Sequence, residues 1–353
     1  MSVIRVLVVD DSSMYRQLLR ELIDEVPGLE CIGTAEDGRD ALENIRRLEP
    51  DAITLDLEMP VMDGLAVIQA LKQQESKTRI LLVSAHSKAG AALTVEALEA
   101  GAYDFITKPQ GMGAKRAREE IRRQLKAKLL GVGKVRDTEQ KSVEKPTPQF
   151  KKPLFKPQAL TIGCSTGGPV ALLHLFGKIQ QPLGIPVFIV QHMPPLFTRT
   201  LAESINKVSA LTVKEAEHGE WVKPDYAYIA PGGRQLGIVG TPDAATLEVN
   251  DREVDNGFKP SVDLLFSSVA KVYRDRVVAL ILSGMGSDGT QGLRCLKQEG
   301  ALAIGQEESS CVVYGMPKSA RRAGVIEAEM TLDQMAAVTL ELLDAVSAAV
   351  ADL

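Results

Sequence analysis

The sequence predicts an α/β protein of two domains, each an open, mostly parallel sheet covered by helices, with a basic connector between them. Three observations carry this reading. Short apolar strands alternate with amphipathic segments over residues 1–109, the pattern of repeated βα units. The same alternation resumes beyond Gln158. Between the two, residues 111–157 hold 14 Lys/Arg against 5 Asp/Glu in a chain whose net charge is −5. A length of 353 residues exceeds one ordinary core and suits two, and 45% hydrophobic with 25% charged residues is a globular composition.

In the first domain the strand segments are IRVLVV, CIGTA, AITLDL, RILLVS and AYDFITK. Helices are expected near Ser13–Glu25, Gly38–Leu48 and Gly64–Gln73, with the segment AALTVEALEA ahead of the last strand. In KRAREEIRRQLKAKLL the apolar residues Ile121, Leu125 and Leu129 share one face of a further helix, which closes a domain over residues 1–130. The Lys- and Pro-rich stretch that follows reads as a solvated linker over 131–157. Its basic charge serves solvation first, and contact with acidic helices of a partner is the sharper alternative. The second domain, 158–353, shows strands ALTIG, PVFIVQ, TVKEA, YAYIAP and VVALILS, and helices after Pro169, near Phe197–Val208 and from Gln291. No repeat of solenoid length is present.

Several classes are excluded. The N-terminus lacks the basic and apolar regions of an export signal, and apolar runs such as VVALIL fall short of the roughly 20 residues that span a bilayer. A cytoplasmic protein without membrane insertion is expected. Cys31, Cys164, Cys295 and Cys311 lie far apart, without a CxxC or a Cys/His cluster, which argues against disulfides and zinc. Neither domain has a basic face or a helix-turn-helix pattern, so nucleic acid is not an expected partner.

Asp10 and Asp11, Asp56, Ser84 and Lys108 all stand where strands of the first domain should end. In a parallel sheet these ends share the ligand-binding edge. Three carboxylates gathered there suit Mg²⁺, which prefers oxygen ligands. Lys108 can pair with an anion on Asp56, and Ser84 can hydrogen-bond one of its oxygens. An aspartate at a strand end also caps helices, so no single residue carries the argument. With LDLEMPVMDGL as its most specific stretch, the arrangement resembles the response-regulator receiver family over residues 3–125. The resemblance implies a flavodoxin-like, five-stranded parallel sheet and a histidine kinase as phosphodonor. It also implies Asp56 as the phosphoryl acceptor and Mg²⁺ held by Asp11, Asp56 and the backbone carbonyl of Glu58, beside Asp10. Ser84 and Lys108 would sense the phosphate, with Phe105 as the aromatic switch.

Three strands of the second domain lead to Ser165, His192 and Asp288. A serine needs a base to take its proton, histidine serves near neutral pH, and a carboxylate orients the imidazole. The glycines of GCSTGGP let backbone amides approach a reacting group at a helix start. On its own this segment is equally a phosphate loop of a nucleotide-dependent enzyme, although neither GxGxxG nor Walker A is present. Of the other histidines, His86 lies in the first domain, His174 is expected in the core and His218 on a surface loop. Cys164 points to the opposite face of its strand from Ser165.

The motifs STGGP, VQHMPPLFT, YIAPGG, KPSVDLLF, LSGMGSDG and YGMPKSA together resemble the chemotaxis protein-glutamate methylesterase (CheB) family over about residues 158–345. That resemblance implies a Rossmann-like, doubly wound esterase domain with Ser165 as nucleophile, His192 as general base and acid, and Asp288 as orienting partner. Amides near Thr166 and Met285 would line the oxyanion hole, and no cofactor is implied for the ester reaction. The implied substrate is a methylated glutamate on chemoreceptor cytoplasmic helices, with receptor glutamine deamidation beside it. Cys164 and Arg234-Gln235 depart from the family pattern. A response regulator with a non-catalytic receptor-binding or scaffold output is the rival reading.

Overall fold

Five parallel strands build the first unit: β1 (Ile4–Val9), β2 (Leu29–Ala35), β3 (Ala52–Asp56), β4 (Arg79–Ala85) and β5 (Asp104–Lys108). Their spatial order is β2-β1-β3-β4-β5. Helices α1 (Ser13–Asp24), α2 (Gly38–Leu48), α3 (Gly64–Gln73), α4 (Lys88–Ala100) and α5 (Ala114–Arg136) connect or follow them. Every residue of β3 is buried, as expected of a central strand covered on both faces. Ser12, Asp37, Asp63 and Ser87 start the first four helices, each accepting a hydrogen bond from a first-turn amide. Those caps fix four sharp strand-to-helix turns at one edge.

This computed structural model describes residues 3–109, 111, 113–136 and 156–351. The chain divides into the units Met1–Ser142 and Val143–Leu353. Ile121, Leu125 and Leu129 are buried along α5 as their spacing requires. The helix runs on to Arg136, so Gly131–Arg136 of the expected linker are helical. The rest of that linker, up to residue 155, lies outside the described residues.

The second unit is a seven-stranded parallel sheet containing β6 (Ala159–Cys164), β7 (Val187–Gln191), β8 (Thr212–Glu215) and β9 (Tyr226–Ile229). A separate antiparallel pair follows, β10 (Gln235–Thr241) with β11 (Ala244–Asn250), and then β12 (Val277–Ile281), β13 (Leu302–Gln306) and β14 (Ala328–Met330) complete the sheet. The sheet order is β14-β13-β12-β6-β7-β9-β8. The chain winds outward from β6 through β7 to β8 and β9, then crosses back to build β12, β13 and β14 on the other side. The switch point is therefore β6/β12, where doubly wound sheets open a crevice at the carboxyl ends of their strands.

The helices of this unit are α6 (Gly168–Lys178), α7 (Phe197–Val208), α8 (Val262–Tyr273), α9 (Thr290–Glu299), α10 (Met316–Arg322) and α11 (Leu332–Ala351). The hairpin β10–β11 and helix α8, neither expected as such from the sequence, pack on each other. They bury Leu236, Ile238, Leu247, Leu265 and Val269 in the main cluster. His174 is a correction: its side chain is 42% exposed and lies 2.9 Å from Asp333, because its position on α6 faces α11 rather than the sheet. His218 is exposed, as expected of a surface loop. Among the described residues no helix is long and apolar enough to cross a membrane.

Candidate functional site

In the first unit Asp10, Asp11 and Asp56 place carboxylate oxygens within 4.8 Å of one another. Lys108 reaches in from the end of β5, its Nζ 2.6 Å from Asp56 Oδ2 and 3.0 Å from Asp10 Oδ2. The ammonium also lies over the Tyr15 ring at 4.6 Å. Burial pushes the Asp10 carboxyl up, and Lys108 offsets only part of that. Burial alone would lower Lys108, but its bonds to Asp56 and Asp10 leave it raised. The donor set is all oxygen and short of positive charge, which fits a hard divalent cation. Glu58 follows in the turn after β3 with its side chain exposed.

Ser84 stands at the expected strand end, yet its hydroxyl faces α4. It donates to Gly90 O at 3.2 Å and accepts from Thr94 Oγ1 at 2.6 Å. Phe105 is buried, with Lys128 Nζ 5.1 Å from its ring centroid and 2.5 Å from its carbonyl oxygen. Neither residue is at Asp56 in this arrangement.

In the second unit the neighbouring strands β6 and β7 pair Cys164 with Gln191. Ser165 and His192 are the next residue on each, so register alone sets them side by side. Ser165 N donates to Ser283 O at 3.0 Å, and its carbonyl accepts from Gly168 N at 2.8 Å and Gln191 Nε2 at 2.9 Å. Ser165 Oγ makes no hydrogen bond among the described residues. Gly167 starts α6 with φ at +76° and packs so tightly that a Cβ there would meet Val312 at 2.5 Å. Gly284 is equally constrained, since a Cβ would come within 2.9 Å of Ser165 Cβ. Thr166 is held from behind by Ser283 Oγ on its carbonyl, 2.8 Å.

His192 Nε2 lies 2.8 Å from Asp288 Oδ2, while Nδ1 is buried without a partner. The Phe258 ring stacks on the imidazole, centroids 4.3 Å apart and planes inclined by 4°. Asp288 sits against the start of α8. Its Oδ2 also accepts from Val262 N at 2.8 Å, and its Oδ1 from Asp263 N at 2.9 Å, Ser261 Oγ at 3.1 Å, Asn256 Nδ2 at 2.9 Å and Gly289 N at 3.0 Å. Burial would raise this carboxyl, but the bond to His192 and the backbone amides leave it below the ordinary range. Nε2 must then carry the proton in that bond, and Nδ1 is the basic nitrogen.

The expected triad residues thus fall into one linked pair, His192–Asp288, and a serine at the adjoining strand end. Sequence reasoning missed Ser261, Val262, Asp263, Asn256, Phe258, Gln191 and Ser283. KPSVDLLF held the usable signal: a serine ahead of an apolar run with aspartate in its first turn marks a helix start. Cys164 is fully buried against Val190 O at 3.6 Å, and burial pushes its thiol far up, so it is a poor nucleophile.

Together these sites are those of a response regulator whose output unit is a doubly wound α/β domain with serine, histidine and aspartate at its switch point. The chain belongs to the CheB methylesterase family, whose model matches residues 160–339, with a response regulator receiver domain matching residues 6–120. It is 41% identical over 351 residues to a protein-glutamate methylesterase/protein-glutamine glutaminase of Desulfotalea psychrophila, covering 94% of this chain and 96% of that one. A protein of the same name from Halalkalibacterium halodurans is 42% identical over 338 residues, with 94% and 96% covered. The crystal structure of the Thermotoga maritima CheB methylesterase catalytic domain aligns with a TM-score of 0.51 at 37% identity, covering 53% of this chain and 100% of that one.

Asp263, beside Asp288, generates a stability prediction. Burial first, and then the Asp288 charge, push its carboxyl up to about 6 from 3.8. A raised carboxyl favours the folded state below its unfolded pKa, and that contribution is lost as pH rises through about 6. Asp263→Asn keeps the acceptor for Gly292 N without the ionisation penalty. The variant should match the parent in denaturant melts at pH 4 and exceed it by about 1 kcal/mol at pH 7.5, after discounting for solvent screening.

Proposed function

We propose that the chain hydrolyses glutamate methyl esters on the cytoplasmic helices of chemoreceptors under control of phosphorylation, and deamidates receptor glutamines at the same site. The observation that carries this is His192, with Nε2 bound to Asp288 and Nδ1 free, at the strand end beside Ser165. Ser165 Oγ attacks the ester carbonyl as its proton passes to His192 Nδ1. The oxyanion is stabilised by the amides of Thr166 and Met285. Collapse of the tetrahedral intermediate expels methanol, which takes the proton from His192. Water, deprotonated by the same nitrogen, then releases the glutamate carboxylate and restores Ser165. With glutamine the leaving group is ammonia. No cofactor is assigned to this reaction.

Control begins at Asp56, the phosphoryl acceptor from a histidine kinase. Asp10, Asp11, Asp56 and the Glu58 carbonyl would hold Mg²⁺, which offsets negative charge as the phosphoryl group arrives. Lys108 exchanges its contact with the Asp56 carboxylate for one with the phosphate. Ser84 leaves Gly90 and Thr94 to hydrogen-bond the phosphate, and Phe105 moves with it as the aromatic switch. Phosphorylation adds roughly −1.5 to −2 charge at this point and shifts a two-state equilibrium toward an open esterase site. The setting is cytoplasmic.

Ser165→Ala should lower methanol release from methylated receptor by at least about 10⁴-fold while Asp56 still takes phosphate. Esterase activity surviving in that variant would falsify the nucleophile assignment. A small-molecule phosphodonor with Mg²⁺ should raise methanol release about 5–150-fold, the usual span of allosteric coupling. Asp56→Asn should remove that response and keep the basal rate. A donor response of equal size in Asp56→Asn would exclude Asp56 as the acceptor.

A further inference from the structure

The loop between β11 and α8 touches both members of the His192–Asp288 pair. Asn256 Nδ2 donates to Asp288 Oδ1 at 2.9 Å, and the same side chain accepts from Phe258 N at 3.0 Å through its Oδ1. The Phe258 ring lies flat on His192, whose Nε2 returns to Asp288. Imidazole, carboxylate, amide and phenyl ring thus form a closed circuit. The loop is fastened behind by Gln235, a buried residue of β10: its Nε2 donates to Phe258 O at 2.8 Å and its Oε1 accepts from Ser261 N at 2.9 Å. Gln235 belongs to the Arg234-Gln235 pair, one of the two places at which the sequence departs from the family pattern.

Resting on the ester hydrolysis proposed above, we infer that Asn256 and Phe258 are positioning residues of the reaction, holding the imidazole plane and the carboxylate in one geometry through both proton transfers. A flat ring at van der Waals distance excludes water from one face of the imidazole and blocks rotation about its Cβ–Cγ bond. Its π face favours the imidazolium formed during attack. Asn256 makes the ring and the carboxylate move together, because one amide group binds Asp288 with its nitrogen and the Phe258 backbone with its oxygen. Phe258 is half-buried and Asn256 exposed, so the core does not require either.

The test uses the full chain and two readouts. In methanol release, Phe258→Leu should lower kcat about tenfold, the size of one lost ring-on-imidazolium contact, with KM unchanged. Phe258→Tyr, which keeps a flat ring, should stay near the parent rate. Asn256→Ala should fall in the same direction, and the Phe258→Leu/Asn256→Ala pair should fall little further than the worse single variant, because both break one circuit. A raised KM with intact kcat would make Phe258 a wall of the substrate groove and overturn the inference, as would losses that simply multiply. The second readout needs no turnover. In the NMR spectrum the His192 ring protons, one set among four histidines, should sit upfield in the parent through the phenyl ring current and relax downfield in Phe258→Leu. An unmoved signature overturns the positioning role whatever the rates. A parent chain that shows the ring-current shift but releases no methanol supports the circuit and defeats the ester reading instead.

Discussion

The second unit is organised around one buried negative charge. The Asp288 side chain is fully buried, and an isolated carboxylate so placed would give up its charge rather than stay ionised. It stays ionised because the amides of Val262, Asp263 and Gly289 and the side chains of Ser261, Asn256 and His192 converge on its two oxygens. Two of those amides belong to the first turn of α8, whose free N–H groups and helix dipole favour an anion. Meeting that demand fixes where α8 begins, how the loop ahead of it folds back, and why the SGMGSDG loop turns at Gly289. It also fixes the imidazole: a permanent acceptor at Nε2 leaves only Nδ1 to exchange protons.

The first unit shows the same economy with the sign reversed. Lys108 is the cation at an acidic edge, and its contacts with Asp56 and Asp10 raise its own pKa against the cost of burial. A phosphoryl group on Asp56 would compete for that ammonium, so the chemistry of modification and the stability of the edge are coupled through one side chain. In both units a parallel sheet presents several strand ends at one edge, which is how residues far apart in the chain become neighbours.

What the sequence reveals about this protein follows from that geometry. Strand alternation and strand ends are local patterns, so Asp56, Lys108, Ser165 and His192 could be placed from IRVLVV-like runs alone. The Asp288 cradle was harder to see, because it combines the loop after β12 with the start of α8 and a loop from the hairpin side. Its one local trace is the helix-start pattern in KPSVDLLF. The β10–β11 hairpin interrupts the βα rhythm, and two glycines in QLGIVGT weaken the strand signal of its first half. The hydroxyl of Ser84 is a subtler case: its position is legible, whereas its partners Gly90 and Thr94 depend on how α4 packs. The apolar residues around His174 suggest core, whereas its partner Asp333 stands on α11, 159 residues further along the chain, and no local pattern announces that pairing.

The choice between Cys164 and Ser165 shows how narrowly the backbone sets the chemistry. The two side chains are adjacent in sequence and on opposite sides of β6, so a slip of one residue against β7 would exchange them. The thiol would then face the histidine and the hydroxyl would be buried. Register is held by the Cys164–Gln191 pairing and by Gln191 itself, whose Nε2 donates to both Ser165 O and His192 O, at 2.9 and 3.2 Å. One buried amide therefore ties the two strand ends together just beyond the last regular ladder bond. Gly168 leaves no alternative, since any side chain there would collide with the Gln191 amide oxygen. A buried polar group placed for its specificity rather than its stabilisation is the expected device where a one-residue shift would change which side chain stands beside His192.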